Sequence, residues 1–258
     1  MVARPIRRRI ERTKTALANG TDMDLRPRFL GRLGPADIVT VVNAFVGFTA
    51  AVLAPFEPQL AARLILLAAI ADGLDGLVAR RYGSTPVGEF VDSLADTVSF
   101  GVAPAAMVVG LARLQWGNGG ELLGIADPLH LTAAVGIPAL VVAAAVVRLA
   151  MYTAYDVGAR TTEGVQTTLA ATVLAAATLA GEIQLVLVLL ASVVLAYLMV
   201  TRIPYPDLRE RDALAMGLVQ TGAVLAPAVF YRLFPRALLA AALAYLLFAP
   251  WLYPRVES

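Results

Sequence analysis

"DGLDGLVARRYGSTPVGEFVDSLAD" (72–96) puts four aspartates into 25 residues, inside segments that otherwise read as membrane helix. Each aspartate at mid-bilayer costs about 2.5–3.5 kcal/mol, and less near a helix end. Asp72 and Asp75 are three apart and Asp92 and Asp96 four apart, so each pair shares one helix face. The intervening "ARRYGSTPVG" reads as a tight turn that sets the two helices antiparallel, with the four carboxylates converging near one membrane surface. Like charges at that density repel unless a cation sits among them. Hard oxygen ligands suit Mg²⁺ or Mn²⁺, with room for two ions, and not zinc.

Around this stretch the chain of 258 residues is 59% hydrophobic, with a mean hydropathy of +0.74. Such a composition points to an all-α, polytopic membrane protein. Apolar runs predict eight transmembrane helices, at 36–55, 59–81, 87–113, 128–153, 164–181, 183–203, 213–233 and 236–253. "PFEPQ", "RRYGSTP", "YDVGARTTEG", "RIPYPDLRERD" and "RLFP" mark breaks between them. Lack of cysteine excludes disulfides, thiolate metal sites and cysteine nucleophiles, and a single histidine, His130, excludes a multi-histidine metal site.

Nine basic residues fall in the first 32 positions, and no apolar run precedes Asp37, so the N-terminus reads as something other than a cleavable signal. "RPIRRRIERTK" is either a solvated tail or a polybasic arm on an anionic leaflet. "RPRFLGRLG" (26–34) suits a short interfacial helix. Arginine bias puts the N-terminus and the aspartate-bearing ends on the cytoplasmic side, leaving Arg63, Arg113, Arg232 and Arg236 at the outer ends. The expected organisation is a tail with interfacial helix (1–34), a core (35–212) and two further helices (213–258). Trp116, Trp251, Tyr245 and Tyr253 read as interface residues.

Small residues and arginine complete the pattern. Gly76 follows Asp75, Ala79 and Arg80 lie one turn on, and Gly88 precedes Asp92 by one turn. Missing side chains let a bulky anion approach the metals, and Arg80 offers a planar cation to phosphate oxygens. Metal, arginine and glycine together imply phosphoryl chemistry. An intramembrane cation transporter is the alternative of a different class, but the acids cluster at one end and no repeat is visible.

The stretch resembles the signature of the CDP-alcohol phosphotransferases, D-x2-D-G-x2-A-R-x7/8-G-x3-D-x3-D. Asp72, Asp75, Gly76, Ala79, Arg80, Gly88, Asp92 and Asp96 fill it with no departure. The resemblance implies metal-dependent transfer from a CDP-linked lipid to an alcohol, with release of CMP. It implies that Asp72, Asp75, Asp92 and Asp96 ligate metal, with Asp96 the general base, and that Gly76, Ala79, Arg80 and Gly88 line the CDP pocket. Thr40 and Asn43 in the first helix would touch the nucleotide. A homodimer with six core helices per chain is implied as well; nothing suggests a nucleic-acid partner.

Downstream, "DSLADTVSFGVAPA", "RLAMY", "GVQTTLAA" and "LMVTRIPYP" are similar to the phosphatidylserine synthase branch. "RPRFLGRLGPADIVTVVNAFVGF" (26–48) is similar to archaeal, in particular haloarchaeal, archaetidylserine synthases, which implies L-serine as acceptor and CDP-archaeol or CDP-diacylglycerol as donor. Inositol phosphate or glycerol phosphate is the alternative acceptor, but either would call for more cations than Arg80, Arg81 and Arg148. Arg148 is the basic residue deep in the fourth span, and reads either as the anchor of a serine carboxylate or as an arginine reaching for the interface. Ser99 either helps hold serine or packs, with packing favoured.

Overall fold

A computed structural model of the chain describes residues 27, 29, 31–119, 122–157, 161–181, 184–206 and 210–252. The basic arm through residue 26 and Tyr253 lie outside these. The chain divides into Met1–Arg32 and Leu33–Ser258. In the first unit, the described part of the expected interfacial helix is a turn, in which Arg32 N–H donates to the Phe29 carbonyl (3.0 Å).

The second unit is helical. Its elements are α1 (Pro35–Leu53), α2 (Pro58–Tyr82), α3 (Gly88–Trp116), α4 (Pro128–Asp156), α5 (Thr167–Ala180), α6 (Leu185–Met199), α7 (Glu210–Leu225) and α8 (Val229–Leu252). Short strands β1 (Thr161–Glu163) and β2 (Pro204–Pro206) pair antiparallel and link the loops before α5 and α7. Proline stands at the start of α1, α2 and α4, where a missing N–H is harmless.

Eight helices are present among the described residues, but four, α1, α3, α4 and α8, are long and apolar enough to cross a membrane. Of the other four, α2 has 25 residues but carries Asp72, Asp75, Arg80 and Arg81, while α7, α6 and α5 are shorter apolar helices, α5 the shortest. The 14 residues of α5 span about 21 Å against a hydrocarbon core of about 30 Å. Twelve of them are buried by protein, so α5 has almost no lipid-facing surface to match to the bilayer. It packs between α2 and α8.

Small residues make the close packing possible. Ala50, Ala61, Ala62, Ala68, Ala103, Ala145, Ala170 and Ala175 are all fully buried. Without a hydrophobic drive between helices in lipid, such side chains allow the backbone approach that dispersion needs. α1 has two faces accordingly. Asp37, Thr40, Asn43, Gly47 and Ala50 are buried, while Ile38, Val41, Phe45, Phe48 and Val52 are exposed. A Cβ on Gly47 would lie 2.6 Å from Ser99 Cα of α3. Gly47→Ala should therefore lower stability in detergent by about 1–3 kcal/mol. Gly136→Ala, where a Cβ would meet nothing within 4 Å, should leave it unchanged or raised. Thermal unfolding of the two variants side by side checks this.

The last loop differs from expectation. A break was expected at "RLFP" (232–235), but the chain turns at Ala226, Pro227 and Ala228, and Pro235 lies inside α8. Phe230, Tyr231 and Arg232 have φ of 48°, 55° and 64°, so regular α8 begins just before Pro235. Proline in a first turn costs no hydrogen bond. Tyr245 is also not an interface residue: it is buried, and its hydroxyl donates to the Pro206 carbonyl. Tyr205 in turn donates to the Leu246 carbonyl (3.1 Å), tying the ribbon to α8.

All four arginines expected at outer ends donate to backbone carbonyls. Arg63 reaches Val224 (2.7 Å), Arg113 reaches Pro55 (3.0 Å), Arg232 reaches Leu179 (3.1 Å) and Arg236 reaches Ala180 (3.0 Å). Val224, Leu179 and Ala180 sit in the last turns of α7 and α5, whose carbonyls lack intrahelical partners and carry the negative end of the dipole.

Candidate active site

The acids come from the second half of α2 and the first turns of α3. Oxygens of Asp72, Asp92 and Asp96 lie within 4.8 Å of one another. Asp72 and Asp92 are half-buried and Asp96 is buried, with one carboxylate oxygen that has no hydrogen-bond partner. Asp75 is buried on the neighbouring side of α2. Its Oδ2 accepts from Thr40 Oγ1 of α1 (2.8 Å), and it is near enough to Asp72, Asp92 and Asp96 to interact electrostatically. Asp72 Oδ2 accepts from Thr168 Oγ1 of α5 (3.3 Å).

The helices deliver these groups by simple means. Gly83, at φ 90°, ends α2 in a conformation that favours glycine. Directly after Asp96 the chain makes a wide π turn, Thr97–Val102. Pro104 explains it: proline has no N–H for the Phe100 carbonyl, and its ring crowds that carbonyl.

Arg148 belongs to the same locality. It lies near the end of α4, is 8% exposed, and its Nε has no hydrogen-bond partner. Its guanidinium carbon stands 5.0 Å from the Tyr152 ring centroid, and Asp96 is within electrostatic reach. Among the described residues no acid lies within 4.0 Å of the Arg148 guanidinium nitrogens, so Arg148 is not neutralised by direct contact. A buried guanidinium with an unused donor is costly until an anion meets it.

The remaining sequence-derived residues are placed as follows. Arg80 is exposed, and its guanidinium lies 3.6 Å from where a Cβ on Gly76 would be, so it folds back along α2 over Gly76. Ala79 is half-buried next to it. Gly88 is also half-buried, and a Cβ there would stand 3.1 Å from Asp37 Oδ1. Asn43 is fully buried with both amide atoms unpartnered. On a helix its side chain tilts toward the N-terminus, the end of α1 that carries Thr40. Ser99 is fully buried beside Gly47 and donates to the Asn43 carbonyl (3.0 Å), so its proton is committed to packing α3 on α1.

Asp37 was not singled out from sequence, yet it is 3% exposed and holds the α2–α3 turn. Its Oδ2 accepts from Gly34 N–H (2.7 Å) and from Thr85 Oγ1 (2.7 Å). The signal was available: in an otherwise apolar helix, Asp37, Thr40 and Asn43 recur every three residues on one face. Thr168 was also missed, because a threonine pair opening an apolar helix reads as ordinary helix-start chemistry.

A divalent cation fits this arrangement. The donors are hard oxygens from a compact group of acids, one buried oxygen lacks a partner, and like charges at this spacing repel.

Residues 34–205 match the CDP-alcohol phosphatidyltransferase family. The chain is 49% identical over 72 residues to a CDP-diacylglycerol--serine O-phosphatidyltransferase of Mycobacterium leprae, covering 27% of this chain and 24% of that one. It is 47% identical over 81 residues to the Saccharomyces cerevisiae protein of the same description, covering 28% and 29%. Those alignments span less than a third of either relative. An archaetidylserine synthase of Methanothermobacter thermautotrophicus is 29% identical over 175 residues, covering 66% of this chain and 68% of that one.

Proposed function

The chain belongs to the CDP-alcohol phosphatidyltransferase family, and on that premise we propose that it transfers a phosphatidyl or archaetidyl group from a CDP-linked lipid to the hydroxyl of L-serine, releasing CMP. The observation that carries the reading is the meeting of Asp72, Asp92 and Asp96 beside Arg148, whose buried Nε has no partner. The relatives named for serine transfer support the choice of acceptor.

Asp72, Asp75, Asp92 and Asp96 would hold Mg²⁺ or Mn²⁺, two ions in this reading, and bound cations there would supply Lewis-acid polarisation of the diphosphate and stabilisation of the leaving oxyanion. Arg80 pairs with diphosphate oxygens, and the bare flank at Gly76 and Ala79 leaves room for them. Gly88 and Asn43 line the nucleotide side. Arg148 takes the serine carboxylate, and Asp96 takes the proton of the serine hydroxyl. The serine oxygen then bonds to the lipid-bearing phosphorus while the bond from that phosphorus to the bridging oxygen breaks, and CMP departs with that oxygen. No separate nucleophile is required.

The same proposal puts the protein in the cell membrane as a multi-pass homodimer. Eight helices cross, the N-terminus and site face the cytoplasm, residues 35–212 form the catalytic core, and residues 213–258 brace it. Arg80 and Arg81 at the site end of α2 support that sidedness.

The test is purified protein in mixed micelles with Mn²⁺, either CDP-archaeol or CDP-diacylglycerol, and each acceptor in turn. Expected is CMP release with serine, matched by a serine-bearing lipid in the mass spectrum. CMP release with inositol phosphate or glycerol phosphate and none with serine would reject serine as acceptor.

A further inference from the structure

α5 carries no acid, and the hydroxyl of α1 closest to the acids was expected to touch nucleotide. Both helices nevertheless send a threonine to α2. Thr40 Oγ1 of α1 lies 2.8 Å from Asp75 Oδ2, and Thr168 Oγ1 of α5 lies 3.3 Å from Asp72 Oδ2. The two acids of α2 are thus each held from a different flank by one hydroxyl.

We propose that Thr40 and Thr168 are positioning residues of the metal centre, fixing the carboxylates of Asp75 and Asp72 in their ligating orientation. This rests on reading the acids as a divalent-cation site. A carboxylate has two oxygens and turns freely about its last bond. A donor on one oxygen stops that rotation and aims the other. Threonine suits the task, because branching at Cβ restricts its rotamers and so the direction of its hydroxyl.

Thr40 is 4% exposed, and its single proton has two acceptors nearby, Asp75 Oδ2 and the Ala36 carbonyl (3.1 Å). A buried hydroxyl so engaged has no proton left to donate to a nucleotide, so its donor side serves Asp75 and the Ala36 carbonyl.

Thr168 is placed by both ends of α5. Before it, Gly164 has φ 78° and passes so close to the Met199 and Thr201 carbonyls that a Cβ would stand 3.1 Å from the latter. At the far end, Arg232 and Arg236 of α8 hold the Leu179 and Ala180 carbonyls. The helix that supplies Thr168 is therefore anchored by the ribbon loop and by α8.

The experiment titrates Mn²⁺ into purified full-length protein without substrate, reading free Mn²⁺ by electron paramagnetic resonance. Thr40→Val and Thr168→Val remove the hydroxyl while keeping the shape. Each should weaken Mn²⁺ binding about tenfold or more. Thr40→Ser and Thr168→Ser should stay within about threefold of wild type, because the hydroxyl remains. Wild-type affinity in a valine variant would overturn the role of that threonine while leaving the metal site intact. Equal weakening in a serine variant would overturn it too, since packing and not the hydroxyl would be responsible. Should a valine variant fail to fold, the alanine variant at that position takes its place with the same expectation. No Mn²⁺ binding by the wild-type protein would overturn this inference and the metal reading together.

Discussion

Asp96→Asn protein should release CMP from CDP-lipid and serine at least about 10³-fold more slowly than wild type, with its fold intact. General-base removal costs about 10²–10⁴-fold, and in the proposed site the same change would also alter a metal ligand. Asparagine matches the shape of aspartate but neither accepts the proton nor carries the charge. Asp96 lies within a group whose oxygens are within 4.8 Å of one another, and one of its own oxygens has no partner. Removing one of several close, buried negative charges relieves repulsion, so in chelator the variant should melt no lower than wild type. Rate and melting temperature separate a chemical defect from a structural one. More than about a tenth of wild-type turnover in the variant would exclude Asp96 as the base.

The second large effect concerns the acceptor. Arg148→Ala should raise the KM for serine by about 10–100-fold, the loss of a hydrogen bond between charged groups, and leave the KM for CDP-lipid nearly unchanged. Arg148→Lys should fall between, since an ammonium keeps the charge but loses the planar fork. Arg148 is 8% exposed, with Nε unused and no ion pair within 4.0 Å among the described residues. Initial rates over a grid of both substrates give the two constants. Equal rises in both would sink the anchor role and point to a general disturbance of the site.

The aspartates were legible because spacing on a helix is enough to put two groups on one face, and because acids in an apolar run demand an explanation. Asp72, Asp92 and Asp96 meet as the spacing implies. Asp75 lies on the neighbouring side of α2 with one oxygen on Thr40, a detail that depends on how α1 packs against α2 and that spacing within α2 cannot reveal. Thr168 was illegible for the same reason: 96 residues separate it from Asp72, and only the burial of α5 in the bundle brings them together. The eight helices of the second unit were readable, but the described part of the expected interfacial helix is a turn, and the last break was not readable. "RLFP" looked like a stop, whereas Pro235 stands in the first regular turn of α8, where a missing N–H breaks no hydrogen bond.

Charge counting treated Arg63, Arg113, Arg232 and Arg236 as exceptions to the cytoplasmic bias. Each is instead occupied with a carbonyl at a helix end or loop.

Manganese anomalous diffraction from crystals grown with Mn²⁺ tests the central claim most directly. The expected map has a peak bounded by the carboxylates of Asp72, Asp92 and Asp96, at oxygen distances of about 2.0–2.3 Å. A map with no peak among these three side chains, from crystals in which Mn²⁺ is present, would contradict the account.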